Sequence, residues 1–380
     1  MAERLRLALI TERFGRRFGG AESYAVNLFE ILSKRHEVTV IAREFDHALP
    51  VKEVRVSSMK GWPGWIKALH FAWHAKKLTT SGYDVVHTHA MGPAGDVHVV
   101  HVVPVRFRRF LAQSWWGARL RCLLPRNIAY LWLEAASVQP LSGRYVVAVS
   151  PNVQEQLRAA YPALHQIEMI APGAHEVSID PTIRASIRAQ FGWVTTDIGC
   201  LLVARNPLRK GLAAIALALE RLPAHYKLAV VGADVEARHY LTSRHPDLSA
   251  RVCLIDPVPN VSPFYQAADI YVHPTLLDSF GMAPLEAMAH GLPVVLSASQ
   301  YCGFAAFVRD RQDALVLEDP KEPTQIAEAL LLLGENHALR KQLVQESAKL
   351  VRAHTWAAVA SRFERLYSNV LQDRSRHPTV

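Results

Sequence analysis

Cysteine is scarce in this sequence, and the four cysteines stand singly, without a CxxC pair. They are Cys122, Cys200, Cys253 and Cys302. This spacing disfavours a disulfide framework or a zinc site, and we expect buried, reduced thiols. Long apolar runs are also missing, because stretches such as LAAIALAL fall far short of the ~20 residues that span a membrane. The N-terminal stretch MAERLRLALITERFG lacks the features of a signal peptide, so we expect a cytoplasmic protein.

A dinucleotide-binding fingerprint is absent as well. No GxGxxG pattern follows a strand-like run, and the glycine-rich stretch ERFGRRFGGAE has a different spacing. This disfavours a nicotinamide cofactor, although the alternation of strands and helices described below also occurs in dehydrogenases.

Basic residues outnumber acidic ones, 43 to 34, which gives a formal net charge of +9. Such a balance favours anionic partners: nucleic acid, phosphorylated small molecules or an acidic membrane surface. Much of the excess lies in two segments in which basic and aromatic residues are interleaved. These are Trp62, Trp65, Lys67, Trp73, Lys76 and Lys77 in the first, and Arg106, Phe107, Arg108, Arg109, Phe110, Trp115, Trp116, Arg119, Arg121 and Arg126 in the second.

Interleaved basic and aromatic residues on helix-compatible segments are typical of contact with a membrane interface. The alternative is that the aromatic side chains belong to an ordinary core and the basic ones to a solvated face. Nucleic acid is disfavoured, because no recognisable RNA-binding module accompanies the segments. We therefore expect an anionic membrane surface as a partner.

Two series of β-branched runs alternate with helical periodicity along the chain. The first includes LRLALI, VTVIA, DVVHTH and YVVAVS, and the second includes GCLLVAR, KLAVVGA, RVCLID, IYVHP and PVVLSA. Near-continuous apolar strands separated by helices predict parallel sheets covered on both faces. We therefore predict two doubly wound α/β domains facing each other across a cleft, over residues 1–175 and 190–356. A C-terminal helix at about 357–380 is expected to pack back on the first domain.

The stretch DSFGMAPLEAMAHG carries the strongest functional signal. It predicts a helix with Pro284 in its first turn and Gly291 at its C-terminus. The free amides around Gly281, Met282 and Ala283 would form an anion site at the positive end of that helix. Asp278 and Glu286, placed before and after the turn, have acceptors suited to vicinal hydroxyl groups of sugars. We predict that Glu286 lies in the first turn of the helix. Alternatively, an acid at that position merely stabilises the helix by about 0.3–1 kcal/mol.

A second motif, LLVARNPLRKG, places Arg205 at the end of a strand and Lys210 before the glycine that opens the next helix. Two cations in a strand-to-helix loop would neutralise a diphosphate and stabilise it as a leaving group. The alternative is an ordinary solvated loop.

The order of GGAE, DVVHTH, VAVSPNVQEQL, IAPGA, VARNPLRKG, VVGAD, the long DSFGMAPLEAMAHGLPVV segment and TWAAVASRFERLY resembles the retaining family-4 glycosyltransferases of GT-B fold. The resemblance covers nearly the whole chain. Within that family, RKG followed by CGFAAFV is most similar to bacterial lipopolysaccharide core glucosyltransferases that act on heptose. This sequence departs from the family pattern at Asp278, where glutamate is usual, and at Asn206.

The resemblance implies a set of site residues. Glu286 would bind the ribose of a nucleotide-sugar, and Asp278 the transferred sugar. Arg205 and Lys210 would hold the diphosphate, and His101, with His98 behind it, would lie near the reacting carbon. The remaining donor-binding residues would be Gly19, Gly20, Phe280, Gly281, Met282 and Ala283.

The implied reaction is a retaining hexose transfer without a metal or a cofactor, and the expected donor is a UDP-sugar. No Asp-x-Asp pair is present to hold a metal. The acceptor would be a lipid-linked saccharide, such as the lipopolysaccharide inner core, at the inner face of the cytoplasmic membrane. The alternatives are a transferase for capsule, O-antigen or another glycolipid, a nucleotide-sugar epimerase, and a non-enzymatic sugar-binding protein.

Overall fold

The chain divides into two compact units in the computed structural model, which describes residues 4–111 and 124–376. The first unit comprises the described residues up to Pro172 together with those from Trp356 onward. The second comprises Gly173–Thr355. Each unit is built on an all-parallel main sheet, which confirms the predicted α/β class with two Rossmann-like sheets.

The main sheet of the first unit has seven strands. They are β1 (Arg6–Ile10), β3 (Glu37–Ala42), β5 (Lys52–Arg55), β6 (Val85–Thr88), β7 (Val97–Val100), β8 (Tyr145–Ala148) and β9 (Ile167–Met169). Their order is β5-β3-β1-β6-β7-β8-β9, and a separate pair is formed by β2 (Arg13–Gly15) and β4 (Glu44–Asp46). Leu7, Val40 and Val147 are fully buried, as expected for central strands covered on both faces.

Five of the helices cover this sheet. They are α1 (Gly20–Leu32), α2 (Gly64–Leu78), α3 (Pro125–Ser137), α4 (Pro151–Ala160) and α12 (Trp356–Arg376). Local chemistry sets the start of α4: Pro151 is its first residue, and Ser150 Oγ accepts a hydrogen bond from Val153 N. The apolar face of α12, which includes Trp356, Phe363 and Tyr367, is buried, and the helix packs on α1.

The sheet of the second unit has six strands. They are β10 (Ile198–Val203), β11 (Tyr226–Val231), β12 (Val252–Ile255), β13 (Ile270–His273), β14 (Val294–Ser297) and β15 (Leu315–Leu317). Its helices are α5 (Pro181–Gln190), α6 (Leu212–Arg221), α7 (Val235–Arg244), α8 (Ser262–Ala267), α9 (Met282–Ala289), α10 (Pro323–Glu335) and α11 (His337–Ala353).

The strand order of this sheet, β12-β11-β10-β13-β14-β15, reverses direction between β10 and β13. In open α/β sheets, ligands bind outside the carboxyl ends of the strands at such a reversal. The loops that follow β10 and β13 carry the motifs with Lys210 and Asp278. The topology therefore brings the two strongest sequence signals to the same edge of one sheet.

Several predicted features fall outside the described residues, namely Trp115, Trp116, Arg119, Arg121 and Cys122. The other three cysteines are free, with Cys200 and Cys302 buried and Cys253 half-buried. Helix α7 was not predicted, because its only buried residues are Ala237 and Leu241, too few to give a clear periodicity.

Candidate functional site

Two loops of the second unit are held together at the edge of the sheet. Gly211 caps the N-terminus of α6 with a left-handed backbone, φ 90°. A Cβ atom at this position would overlap the carbonyl oxygen of Pro274, so glycine permits the close packing of the two loops. Leu276 N also donates to Arg209 O at 3.2 Å. These contacts bring the side chain preceding Gly211 to the loop after β13.

That side chain is Lys210, and its ammonium group forms an ion pair and hydrogen bond with Asp278 Oδ2. The same oxygen lies 3.2 Å from Nε2 of His273, the last residue of β13. Asp278 Oδ2 therefore has two neighbours that favour its charged form. The structure brings Lys210 and Asp278 together, although the sequence motifs assigned them to the diphosphate and to the sugar respectively.

The surroundings of Asp278 decide its charge. Burial opposes ionisation, but the hydrogen bond from His273 and the charge of Lys210 outweigh it and lower the pKa of this carboxyl group. His273 lies fully buried beneath it, and burial lowers the pKa of this imidazole. A carboxylate that stays ionised is a strong acceptor for hydroxyl groups.

Gly281 sets the start of α9. It has a left-handed backbone with φ 96°, and a Cβ atom on it would lie 2.7 Å from Cys302 Sγ. Because the helix begins at Met282, two residues before Pro284, Glu286 lies in the second turn and the prediction of a first-turn position was wrong. The interpretation that Glu286 only stabilises the helix N-terminus therefore loses its basis.

Glu286 is held from one side by an aromatic residue. Tyr265 Oη donates to Glu286 Oε2 at 3.2 Å and to the carbonyl oxygen of Ala283 at 3.3 Å. The ring of Tyr265 stacks on His290, with centroids 4.7 Å apart, and His290 Nε2 lies 2.8 Å from Ser262 Oγ. Burial partly desolvates this carboxylate, which raises the pKa of Glu286. With little water around it, the carboxylate can accept hydrogen bonds from a ligand.

The other predicted residues of this unit lie close by in the chain. Arg205 follows β10 and is exposed at the same edge of the sheet. Met282 and Ala283, the first two residues of α9, are half-buried. The ring of Phe280 is only 4% exposed and packs on Phe304 with centroids 5.4 Å apart, so it supports the turn from below.

The predicted histidine belongs to the first unit. His101 follows β7, is half-buried, and its Nε2 lies 3.2 Å from His89 Nδ1. His98 does not pair with it: its Nε2 lies 3.2 Å from the carbonyl oxygen of Gly95, just before β7. Burial lowers the pKa of both His98 and His101 to about 3, so both imidazoles are neutral near pH 7.

Gly19 and Gly20 form the N-terminus of α1 in the same unit. Gly19 caps the helix and Gly20 is its first residue. Gly20 is exposed, and a Cβ atom there would meet nothing within 4 Å. The helix end is therefore open to a ligand, with backbone amides suited to an anion.

Sequence reasoning missed the residues that support the candidate side chains within each unit. They are His87, His89, Tyr265, His273, His290 and Cys302. The HTH pattern in DVVHTH and the histidine of IYVHP were signals for three of them, since buried histidines need partners. Among the described residues, no group of three or more His, Cys, Asp or Glu side chains is arranged to hold a metal ion.

Comparison with known families accounts for both units. Residues 18–176 match the glycosyltransferase family 4 domain, and residues 183–350 match the glycosyl transferases group 1 domain. The first match covers His101 and the Gly19-Gly20 turn. The second covers the loops that carry Lys210, Asp278 and Glu286.

Individual relatives and structures agree with these matches. The chain is 26% identical to a phosphatidyl-myo-inositol mannosyltransferase of Mycobacterium tuberculosis over 93% of both proteins. It is 32% identical to a D-inositol 3-phosphate glycosyltransferase of Corynebacterium diphtheriae, over 42% of this chain and only 38% of that protein.

Two solved structures have a similar fold. One is WaaG, a glycosyltransferase involved in lipopolysaccharide biosynthesis, with TM-score 0.78 and 19% identity, covering 94% of this chain and 98% of that one. The other is Anabaena Alr3699/HepE in complex with UDP-glucose, with TM-score 0.71 and 16% identity, covering 96% of this chain and 100% of that one.

Proposed function

Because this chain is a glycosyltransferase that combines a family 4 domain with a group 1 domain, we propose that it transfers a hexose with retention of configuration from a nucleotide-diphosphate sugar to a lipid-linked saccharide. The observation that carries the proposal is the cluster of Lys210, Asp278 and Glu286 around the start of α9, at the strand reversal of the second unit. UDP is the nucleotide we expect, and a UDP-glucose complex of a protein with the same fold supports that choice.

Each residue of the cluster has a role that fits its surroundings. Glu286 accepts hydrogen bonds from the ribose hydroxyls, and Tyr265 keeps its carboxylate oriented. Asp278 accepts from hydroxyl groups of the transferred sugar. The backbone amides of Gly281, Met282 and Ala283 and the cations Arg205 and Lys210 bind the diphosphate.

Lys210 changes partner in this mechanism. In the structure it neutralises Asp278. When donor binds, the diphosphate competes for the same ammonium group, and its negative charge grows as the bond to the sugar breaks, which strengthens the interaction in the transition state. The proton of the acceptor hydroxyl passes to the departing phosphate oxygen, and no metal is required for this step.

The acceptor is expected to lie at an anionic membrane surface, at the inner face of the cytoplasmic membrane. Helices α2 and α3 pack on each other and expose large apolar side chains: Trp73 is 59% exposed, Trp132 55% and Ile128 54%. Lys76, Lys77 and Arg126 are exposed on the same two helices. None of the described helices is long and apolar enough to span a bilayer. Aromatic and basic side chains together favour interfacial binding.

Two acceptor classes are supported by different observations. The lipopolysaccharide inner core is supported by the RKG and CGFAAFV segments and by the fold shared with WaaG. An inositol phosphate or phosphatidylinositol acceptor is supported by the two relatives with those activities.

The donor is identified first, by thermal shift with UDP, GDP, ADP and their hexose conjugates. A ligand at 100 times its Kd stabilises the protein by about 2.7 kcal/mol, which is readily detected. A shift with one diphosphonucleotide series and none with NAD supports the proposal. No shift with any nucleotide would overturn the assignment of the donor site.

The acceptor and the reaction class are then tested with the labelled donor. Product is compared with core-truncated lipopolysaccharide, with phosphatidylinositol, and without acceptor. Transfer to one lipid distinguishes the acceptor classes, whereas conversion of the donor without acceptor would indicate an epimerase.

A further inference from the structure

Four side chains of the first unit form one continuous hydrogen-bonded series, the histidine relay. Tyr367 Oη lies 2.7 Å from His87 Nδ1, His87 Nε2 lies 2.9 Å from His89 Nε2, and His89 Nδ1 lies 3.2 Å from His101 Nε2. Three different parts of the chain meet here, since Tyr367 is on α12, His87 on β6 and His101 after β7.

Aromatic rings enclose the relay and fix its geometry. Tyr24 of α1 packs edge-on against His89 and His101, with centroids 5.5 and 4.7 Å apart. Phe29 of α1 and Phe363 of α12 pack against His87 at 5.3 and 4.9 Å. The imidazoles therefore cannot rotate freely, and each nitrogen keeps the partner described above.

All three histidines of the relay are neutral near pH 7. Burial lowers the pKa of His87 and His101 to about 3 and that of His89 well below its ordinary value. A neutral imidazole has one N–H donor and one acceptor nitrogen. Each hydrogen bond needs one of each, so the direction of one bond in the series determines the direction of all the others.

Tyr367, at the buried end of the relay, sets the direction of these hydrogen bonds. Tyr367 is fully buried, and burial raises its pKa well above the ordinary value, so its hydroxyl group keeps its proton. Within the described part of the chain, His87 Nδ1 is the hydrogen-bond partner of Tyr367 Oη. If Tyr367 accepted instead, its own buried hydroxyl proton would lack an acceptor, at a cost of about 1–3 kcal/mol. Tyr367 therefore donates.

We propose that Tyr367, acting through His87 and His89, holds His101 in the tautomer with its proton on Nδ1. His87 then donates from Nε2 to His89, and His89 donates from Nδ1 to His101 Nε2. His101 presents an N–H donor at Nδ1, while its acceptor nitrogen is occupied. It can therefore bind an oxygen of the donor sugar but cannot remove a proton from the acceptor. This assignment rests on the proposed function for its role in catalysis, but not for the tautomer itself.

Nitrogen NMR of the ligand-free protein with ¹⁵N-labelled histidine tests the tautomer directly, with His101→Gln and His89→Gln used to assign the signals. We expect a protonated Nδ1 and an unprotonated Nε2 on His101. Tyr367→Phe removes the donor at the start of the relay, and the His101 signals should then report a mixture of both tautomers. A His101 protonated at Nε2 in the wild type, or an unchanged tautomer in Tyr367→Phe, would overturn the proposal.

Tyr145→Phe is the matched control, because Tyr145 Oη donates to Asp373 of the same helix α12 at 2.6 Å and lies outside the relay. It should leave the His101 tautomer unchanged. His89→Gln interrupts the relay in the middle and provides a second variant if Tyr367→Phe does not fold. In transfer assays, Tyr367→Phe should lower kcat, and it should leave the Kd of UDP, which lacks the sugar that His101 binds, unchanged. The predicted tautomer without any transfer activity would contradict the proposed function while preserving the relay.

Discussion

Lys210 and Asp278 form an ion pair that joins two loops 68 residues apart in the sequence. The pair stands at the strand reversal of the second unit and is supported from below by His273. A resident carboxylate thus holds the ammonium group at the position where we expect an incoming diphosphate. In the proposed reaction the diphosphate replaces Asp278 as the partner of Lys210, and the order that Asp278 already imposes on the lysine reduces the entropy lost at that step.

Removal of the Lys210 charge should reduce transfer strongly. In Lys210→Ala the leaving diphosphate loses a positively charged hydrogen-bond partner, and we expect kcat to fall about 10²–10³-fold. Arg209→Ala is the matched control, because Arg209 is the exposed neighbour in the same loop and should retain activity. Steady-state kinetics of both variants check the role, and equal rates in Lys210→Ala and wild type would contradict it.

Glu286→Ala should weaken donor binding without unfolding the protein. Loss of a carboxylate that accepts from ribose hydroxyls should raise the Kd of the nucleotide-sugar at least about tenfold, because charged hydrogen bonds contribute roughly 1.5–3 kcal/mol. Calorimetric titration measures the change. Glu328→Ala removes an exposed acid from α10 and serves as the control. Unaltered donor affinity in Glu286→Ala would exclude the ribose role.

Gly281→Ala tests the turn that begins α9. A left-handed alanine is strained, and its Cβ atom would lie 2.7 Å from Cys302 Sγ, so we expect a loss of about 1–3 kcal/mol in stability. Adding Cys302→Ala should recover the part due to the clash but not the part due to the backbone. Gly20→Ala, where a Cβ atom meets nothing within 4 Å, should be tolerated. Equal denaturation midpoints for Gly281→Ala and wild type would refute this account.

The buried histidines should make the first unit sensitive to acid. The pKa of His87 and of His98 is lowered by burial to about 3, against an ordinary value of about 6.5 in the unfolded chain. Between these values the unfolded state binds more protons, so stability falls as the pH decreases, by about 1.4 kcal/mol per pH unit for each such histidine.

Urea denaturation at several pH values between 7 and 4.5 measures that slope. His98→Gln should reduce it by the contribution of one group, while His239→Gln, on α7 in the second unit, should not. If His98→Gln left the dependence of stability on pH unchanged, His98 would not contribute to the acid sensitivity.

Replacement of Arg106, Arg108 and Arg109 with serine should weaken binding to vesicles that contain anionic lipid. Each basic residue near such a surface contributes about 1 kcal/mol. Serine at Arg221, Arg244 and Arg352 removes the same charge from exposed positions of the second unit and should have little effect. Sedimentation with vesicles compares the two variants, and identical partitioning would favour a solvated basic face.

The fold could be predicted from sequence because its strands are buried on both faces and separated by clear helical periodicity. The start of α4 at Ser150-Pro151 is an example in which local chemistry decides the outcome. The start of α9 at Met282, two residues before Pro284, could not be predicted, since it depends on the left-handed Gly281 packed against Cys302, a contact that tertiary folding creates.

The same reason explains what was missed around the candidate residues. Asp278, Glu286 and His101 are visible in motifs, whereas Tyr265 and Tyr367 become partners only through tertiary packing. A buried tyrosine looks in sequence like any other core aromatic residue. Its hydroxyl group gains a role from a neighbour that no local pattern specifies.

The position of α12 affects the order in which the protein can be completed during synthesis. This helix packs on α1 and supplies Tyr367 to the first unit, yet the ribosome makes it after the whole of Gly173–Thr355. On a nascent chain, Tyr24 and the rest of the α1 surface that packs on α12 stay exposed, while the second unit can already fold. The unit that is translated first is therefore the one that is completed last, when α12 has been synthesised.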